Sequence, residues 1–240
     1  MTNPGVRPRP AHKPRPFIDL LVSIVIPSVV LMKFSGDNDL GVVRALLLAL
    51  AFPLGWGLFE LAKYRKFNFI ALLGLVSVLL TGGIGLFELS TEWLAVKEAA
   101  IPGLIGIGVL VSTRTRYPLV RTMLFNPTVL DVERVRRALE AKGTLQAFEA
   151  RLLTATYLLS GTFFFSSFMN YVLATWIVTS PAGTQAFNEE LGHLTLVSYP
   201  MIAVPAMLMM MGLLYYLVRA ARQLTGLTVT EMLNHGDERS

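Results

Sequence analysis

The segment from Lys63 to Met123 places two long apolar runs between two clusters of basic residues. The first run ends in an acidic turn that contains Glu88 and Glu92, and the second run ends in Arg-Thr-Arg-Tyr-Pro-Leu-Val-Arg. Each run has roughly the 20 residues that a helix needs to cross the hydrocarbon core of a bilayer. Because Lys and Arg concentrate on the cytoplasmic side of membranes, the pattern predicts a transmembrane hairpin with both ends in the cytoplasm.

The composition fits a membrane protein better than a soluble one. Of the 240 residues, 53% are hydrophobic and only 15% are charged, whereas about a quarter of the residues in a soluble domain are charged. The chain has no cysteine, which excludes disulfides, thiolate metal sites and thiol catalysis. The net charge of +5 comes from basic residues near span ends, so it predicts membrane orientation and no nucleic-acid partner.

The hydrophobic pattern predicts an all-α integral membrane protein: a six-transmembrane-helix bundle with a cytoplasmic amphipathic helix between spans 4 and 5. The predicted spans cover about 16–34, 40–62, 69–89, 94–113, 152–179 and 194–218, and the amphipathic helix covers about 128–148. A basic, Pro-rich and disordered arm is predicted at 1–15, and a cytoplasmic tail at 219–240. Of the 21 Lys and Arg residues, 18 lie in the arm, the 63–66 loop, the 114–151 segment or the tail. Both termini are therefore predicted to be cytoplasmic.

The charged segment before span 5 has the pattern of a helix with one apolar face. Thr128-x-x-Asp131 matches a capping box at its start. Val135 and Leu139 fall on one face, and Arg134 and Arg137 fall on the other. We expect this helix to lie on the membrane surface, with both arginines at anionic lipid headgroups. The alternative is an ordinary solvated helix in a loop.

Several charged residues lie within or beside predicted spans, where a charge is costly unless it is paired or reaches the headgroups. They are Arg44, Glu60, Glu88, Lys97 and Glu98. One interpretation is that each side chain simply extends to the nearer interface. The other is an ion-pair cluster at the outer leaflet, in which Lys97 and Glu98 join the acidic turn and Arg44. Such a cluster would hold spans 2, 3 and 4 together.

Small and polar residues mark the predicted helix contacts. Ser77, Thr81 and Gly85 repeat at four-residue spacing in span 3, and Ala95, Ala99 and Gly103 do so in span 4. Such ridges allow two helices to approach closely. Asn170 is the deepest amide, and we expect it to bond a Ser or Thr of another helix. The alternative is a cavity that Asn170 lines with Ser167 and Thr81, opened by the prolines of the spans.

No arrangement typical of an enzyme is present. The sequence lacks Gly-x-Ser-x-Gly, His-Glu-x-x-His and a phosphate-binding glycine loop. Glu189, Glu190 and His193 could meet in one helical turn around a metal, although such residues are usually solvated. We therefore predict no catalytic residue, no cofactor and no metal.

The opening hairpin also resembles a known family. The order Arg65-Lys66, span, Gly82-Gly83, Phe87, Lys97, span, Pro118-Leu-Val-Arg-Thr-Met-Leu124 is similar to the intracellular septation protein A family of bacterial inner-membrane proteins, as are Phe148, Asn170 and Ala174-Thr-Trp176. The resemblance covers roughly 60–220. It implies an inner-membrane protein that supports septation and envelope integrity by contacting division and wall-synthesis proteins. The Pro-rich arm and the longer insertion near 127–148 depart from that family and resemble a slightly larger sister group, whose members are sometimes described as transporters.

Two functions follow from these observations. The first is a non-enzymatic, multi-pass protein of the bacterial inner membrane that acts through lipid and protein contacts, with a role in septation. The alternative is a transporter of a small molecule or lipid. A water-accessible cavity around Asn170 would favour the transporter, and a dry, close-packed bundle would favour the first function.

Overall fold

A computed structural model describes residues 21–64, 69–115, 120 and 131–233, without the side chains of residue 23 and of 56–64, 69–75, 77 and 78. The described residues form helices and no strands. The helices are α1 (Ile26–Phe34), α2 (Val42–Tyr64), α3 (Phe69–Leu86), α4 (Thr91–Ser112), α5 (Val132–Ala141), α6 (Leu145–Ile177), α7 (Gln185–Ser198), α8 (Val204–Thr225) and α9 (Val229–Met232). π-Helical turns at Leu21–Val25 and Tyr199–Ala203 precede α1 and α8.

The chain divides into two compact units. The first unit contains Met1–Leu94 and Trp176–Leu196, and the second contains Ala95–Thr175 and Val197–Ser240. The predicted arm at 1–15 and Thr128 of the predicted capping box lie outside the described residues, as do the side chains of Glu60 and Ser77.

Three helical stretches are long and apolar enough to cross a membrane within the part of the chain that the structure describes. They are Thr91–Ser112, Leu145–Ile177 and the continuous stretch Gln185–Thr225. A shorter apolar stretch covers Val42–Gly55. Many large apolar side chains of these stretches are exposed, among them Leu104, Phe168 and Met207. Large exposed apolar surfaces are unusual on soluble proteins and are typical of surfaces that meet a membrane or a protein partner.

The predicted amphipathic helix at 128–148 is shorter in the structure and ends at a glycine. Asp131 caps α5, since its Oδ1 accepts a hydrogen bond from Arg134 N at 3.0 Å. At the other end, Gly143 has a φ of +65°, a conformation that costs glycine little. The N–H groups of Gly143 and Thr144 bond the carbonyls of Glu140 and Leu139, as in a Schellman motif.

The helix that contains the predicted span 5 begins at this turn, before the predicted start of the span. The helix α6 begins at Leu145, directly after Thr144, and not near 152. Its first two turns are charged, but Phe148 and Leu152 on one face are buried. Packing of that face keeps the charged turns helical, an effect that local hydropathy does not predict.

The helix that contains the predicted span 6 likewise begins before 194, since α7 starts at Gln185. From there the helix continues through the π-helical turn to Thr225. Pro200 lies in that turn, where Val204 N–H bonds Tyr199 O. Proline has no N–H and its ring clashes with the carbonyl four residues earlier, so the local widening of the helix keeps the chain continuous.

In the second unit, α5, α6, α8 and α9 enclose an apolar core. Its buried members are Val120, Val135, Leu139, Phe148, Leu152, Ala155, Leu213, Leu217 and Met232. Thr144 Oγ1 donates to Leu224 O at 2.9 Å, and Asp131 N donates to Met232 O at 2.9 Å. The apolar face of α5 is therefore covered by protein side chains.

In the first unit, α2 packs against α1 and α3. A Cβ added to Gly85 would lie 2.6 Å from Leu46 Cδ2, and one added to Gly82 would lie 2.7 Å from Leu50 Cδ1. Phe187 of α7 is fully buried beside Gly85. Small residues of α3 therefore let α2 approach closely, as the predicted ridge in span 3 requires.

Candidate functional site: polar contacts of the apolar helices

Two serines of α6 bond the backbone of α4. Ser160 Oγ donates to Gly106 O at 2.8 Å, and Ser167 Oγ donates to Ala99 O at 2.7 Å. The two donors are seven residues apart in the sequence, and so are the two acceptors. Donors and acceptors follow each other in opposite order, so the two helices are antiparallel here. Seven residues are close to two helical turns, which returns both hydroxyls to the same face of α6. The two bonds satisfy the hydroxyls within the protein, which side chains in the hydrocarbon core of a bilayer require because no water is available there.

Glycines of α4 make room for this contact. A Cβ added to Gly103 would lie 2.9 Å from Ser167 Oγ, and one added to Gly106 would lie 3.2 Å from Phe163 Cβ. Both distances are shorter than ordinary van der Waals contacts. Ala95 of the same predicted ridge is buried, and Ala99 supplies one of the acceptors. Gly106 extends the ridge by one turn and is a contact that the predicted Ala95, Ala99 and Gly103 spacing did not include.

Polar and small residues line the packed face of α6. Thr156, Ser160 and Ala174 are buried, and Ser167 and Asn170 are half-buried. The predicted role of Asn170 is corrected, however. Its Nδ2 donates to Ser166 O of the same helix at 2.8 Å, so the bonds to another helix come from the serines. A side chain that bonds the carbonyl four residues earlier satisfies itself locally.

The amide that joins different helices is Asn188, a residue outside the predicted spans and predicted contacts. It is fully buried, and its Nδ2 donates to Ser35 Oγ at 3.0 Å and to Val42 O at 2.8 Å. Ser35 in turn donates to Leu31 O at 2.8 Å. One amide thus holds the end of α1 and the start of α2 against α7. The sequence signal for this contact is the four-residue spacing between Asn188 and Gly192, which lies between the predicted spans 5 and 6.

Gly192 continues the contact one turn further along α7. A Cβ added there would lie 2.8 Å from Ser28 O and 2.8 Å from Met32 Cγ. Ser28 is itself buried, and neither its hydroxyl nor Asn188 Oδ1 has a hydrogen-bond partner in the described residues. Backbone and side chain of α1 therefore approach α7 at a distance that only glycine permits.

The predicted charged residues take several different positions. Lys97 Nζ pairs with Glu98 Oε1 at 2.5 Å, and Lys97 is buried. Glu88 has a φ of +52° and lies against Gly183, whose added Cβ would be 2.7 Å from Glu88 Cγ. Arg44 is exposed. The pairing of Lys97 with Glu98 is thus observed, while the wider cluster with Arg44 stays a prediction.

The acidic residues near His193 accept hydrogen bonds from neighbouring residues of the chain. Glu190 accepts four hydrogen bonds, from N and Oγ1 of Thr179 and from N and Oγ of Ser180, at 2.8–3.2 Å. Glu189 accepts one from Gln185 Nε2 at 2.8 Å, and His193 is exposed. Across the described residues no group of three His, Cys, Asp or Glu side chains could hold a metal ion.

The two arginines predicted at the lipid surface are exposed on α5. Arg134 pairs with Glu231 at 3.5 Å, and Arg137 Nε donates to Glu133 O at 3.3 Å. Glu231 belongs to a capping box with Thr228 at the start of α9. Hydrogen bonds from the N–H and hydroxyl of Thr228, with a smaller attraction from Arg134, lower the pKa of Glu231 below its usual value. On the same helix, Glu140 raises the pKa of Arg136 by a hydrogen bond at 2.8 Å.

No protein family, no curated protein and no solved structure matches this chain. The resemblance to the septation family therefore rests on the residues given above and stays a prediction.

Proposed function

We propose that this chain is a non-enzymatic, multi-pass protein of the bacterial inner membrane with six spans and both termini in the cytoplasm. It would support septation and envelope integrity through contacts with membrane lipids and with division or wall-synthesis proteins. The three long apolar stretches support the membrane location, and α1, α2 and α3 overlap the three remaining predicted spans. The septation role comes from the family resemblance.

The observation that carries the proposal is the use of the polar groups of α6. Ser160 and Ser167 are committed to the backbone of α4, and Asn170 is committed to its own helix. A transport site needs polar groups that face a substrate or water. Polar groups that are occupied in close helix packing instead favour a protein that acts through its outer surfaces. Those surfaces carry exposed apolar side chains such as Leu104 and Phe168.

Imaging a carboxy-terminal green fluorescent fusion in living cells, with the native copy deleted or present, tests this proposal. Fluorescence is expected because a cytoplasmic tail allows the fused protein to fold. Enrichment at division sites, with filaments or chains of cells after deletion, is the expected result. A matched fusion inserted at Asp37, in a predicted outer turn, should stay dark. A uniform membrane signal with normal cell shape would refute the septation role.

The alternative function is a transporter of a small molecule or lipid, favoured by one observation. A π-helical turn at Tyr199–Ala203 lies inside a helical stretch that the sequence places within the membrane, and another at Leu21–Val25 precedes α1. Interrupted helices at mid-membrane form substrate sites in many transporters, and π-helical turns often occur at functional sites. Uptake or efflux by the purified chain in vesicles, abolished by Pro200→Ala, would support transport. Equal flux with and without the protein, across a screen of solutes and lipids, would exclude it.

A further inference from the structure

A groove of about 460 Å³ lies beside the C-terminal end of α8. The residues of its lining that matter here are Tyr215, Arg219, Arg222, Gln223, Gly226 and Thr228. The first four lie on one face of α8, opposite the face that Leu213, Leu217 and Ala220 bury. The chain then turns at Gly226, which has a φ of +73°, and encloses the groove from the other side.

The charges around the groove are positive. The side chains of Arg219 and Arg222 are exposed, and Arg219 Nη1 donates to Tyr215 Oη at 3.4 Å. Lys142 adds a third cation, because a Cβ placed on Gly226 would collide with Lys142 Nζ. The described lining includes no carboxylate. Glu231, which accepts hydrogen bonds from Thr228 at the edge of the groove, is paired with Arg134.

The carbonyl oxygens at the end of a helix repel an anion, and two of those at the end of α8 are occupied. Arg222 O accepts from Gly226 N at 2.9 Å, and Leu224 O accepts from Thr144 Oγ1 at 2.9 Å. Thr225 Oγ1 donates to Ala221 O at 2.7 Å. The charged side chains of the lining are those of Arg219 and Arg222.

An apolar surface leads into the groove along the same face of α8. Met211, Tyr215 and Val218 are exposed at spacings of four and three residues, directly before Arg219 and Arg222. A ligand that fits both parts has an anionic head and a long apolar tail. A free phosphate would use only the arginines and leave the apolar surface unexplained.

We propose that this groove binds the phosphate of an anionic phospholipid, with an acyl chain along Met211, Tyr215 and Val218. The inference rests on the proposed topology, which puts residue 219 at the cytoplasmic interface. The fork of an arginine side chain matches two phosphate oxygens at once, and Gln223 offers an amide donor. Because the lining has no carboxylate for a cationic headgroup, phosphatidylglycerol binds in preference to phosphatidylcholine.

The test measures binding of acyl-labelled phosphatidylglycerol to the purified full chain in neutral detergent, with labelled phosphatidylcholine as the reference lipid. The variant Arg219→Gln with Arg222→Gln should bind phosphatidylglycerol about 25-fold more weakly, since each cation near an anionic lipid contributes roughly fivefold. The matched control is Lys33→Gln with Arg44→Gln, which removes the same charge from two exposed side chains of the first unit. Arg219→Lys with Arg222→Lys should give an intermediate loss because it keeps charge without the fork.

Four outcomes overturn the proposal: unchanged binding by the glutamine variant, an equal loss in the control, equal affinity for both lipids, or full competition by millimolar inorganic phosphate. The last identifies a phosphate site without lipid selectivity. Circular dichroism and thermal unfolding establish whether each variant is folded. If the glutamine variant does not fold, the loss of binding by the lysine variant tests the proposal. The measurement uses purified protein, so its failure is distinct from a failure of the cellular septation test.

Discussion

Ser167 on α6 bonds the carbonyl oxygen of Ala99 on α4 at 2.7 Å, in the turn before Pro102, which lies inside α4. The second bond, from Ser160 to Gly106 O, lies beyond that proline. The two bonds therefore hold α4 against α6 on both sides of its proline.

Removing either hydroxyl should destabilise the helix pair. Ser160→Ala and Ser167→Ala are each expected to lower the free energy of unfolding by about 0.6 kcal/mol, and by no more than about 2 kcal/mol, the range of such bonds between membrane helices. Unfolding in mixed micelles with increasing dodecyl sulfate, followed by circular dichroism, measures this. Ser166→Ala is the matched control, because Ser166 Oγ bonds Thr162 O of its own helix. A loss for Ser166→Ala equal to that for Ser167→Ala would contradict the role of the bond between helices.

Adding one methyl group at Gly192 should be costly. Its Cβ would lie 2.8 Å from the backbone oxygen of Ser28, which cannot move aside as the end of a side chain can. We expect Gly192→Ala to lower the free energy of unfolding by about 1–3 kcal/mol through overpacking. Gly212→Ala is the control, since a Cβ there meets nothing within 4 Å. The same micelle assay compares them, and equal stability of the two variants would refute the close approach of α7 to α1.

The buried amide of Asn188 should matter more than an exposed amide of the same helix. Asn188→Ala leaves the hydroxyl oxygen of Ser35 without a donor in a buried site, which costs about 1–3 kcal/mol. Gln185→Ala removes only an exposed bond to Glu189, and we expect little change. Thermal unfolding in detergent measures both. If Gln185→Ala proves as destabilising as Asn188→Ala, the proposed link between α1, α2 and α7 is wrong.

Acid should loosen the capping box at α9. The pKa of Glu231 is lower in the folded chain than its usual value of 4.5, so folding favours the ionised form. This stabilising contribution is fully present above the pKa that Glu231 has in the unfolded chain. It is lost as the pH falls through the lower pKa that Glu231 has in the folded chain. We expect hydrogen exchange of the Thr228 and Glu231 amides, corrected for intrinsic rates, to accelerate over that interval.

The variant Glu231→Gln isolates this effect. In this variant the amides of residues 228 and 231 should exchange rapidly already at neutral pH, and acid should not accelerate their exchange further. The charge-matched control Glu133→Gln, at an exposed residue of α5, should behave as the original chain does. Retention of the acid response in Glu231→Gln would show that another group is responsible.

Local hydropathy was sufficient for the bounds of the helices that are apolar throughout. The predicted spans at 69–89 and 94–113 correspond to α3 at Phe69–Leu86 and α4 at Thr91–Ser112. It failed where polar turns continue an apolar helix. The start of α6 at Leu145 depends on Phe148 and Leu152, whose burial against α8 is a long-range contact. For the same reason local hydropathy did not predict the first turns of α7, which contain Asn188.

The sequence by itself determined that the chain is helical and that it carries long apolar stretches, because both properties depend on the residues of one segment. It also determined which residues are small enough for close contacts, such as Gly85 and Gly103. Only the tertiary structure decided which polar groups cross between helices. Ser160, Ser167 and Asn188 make those bonds and Asn170 does not, because a hydroxyl or amide can satisfy itself on its own helix equally well. The choice depends on which backbone lies opposite, and that is set by packing.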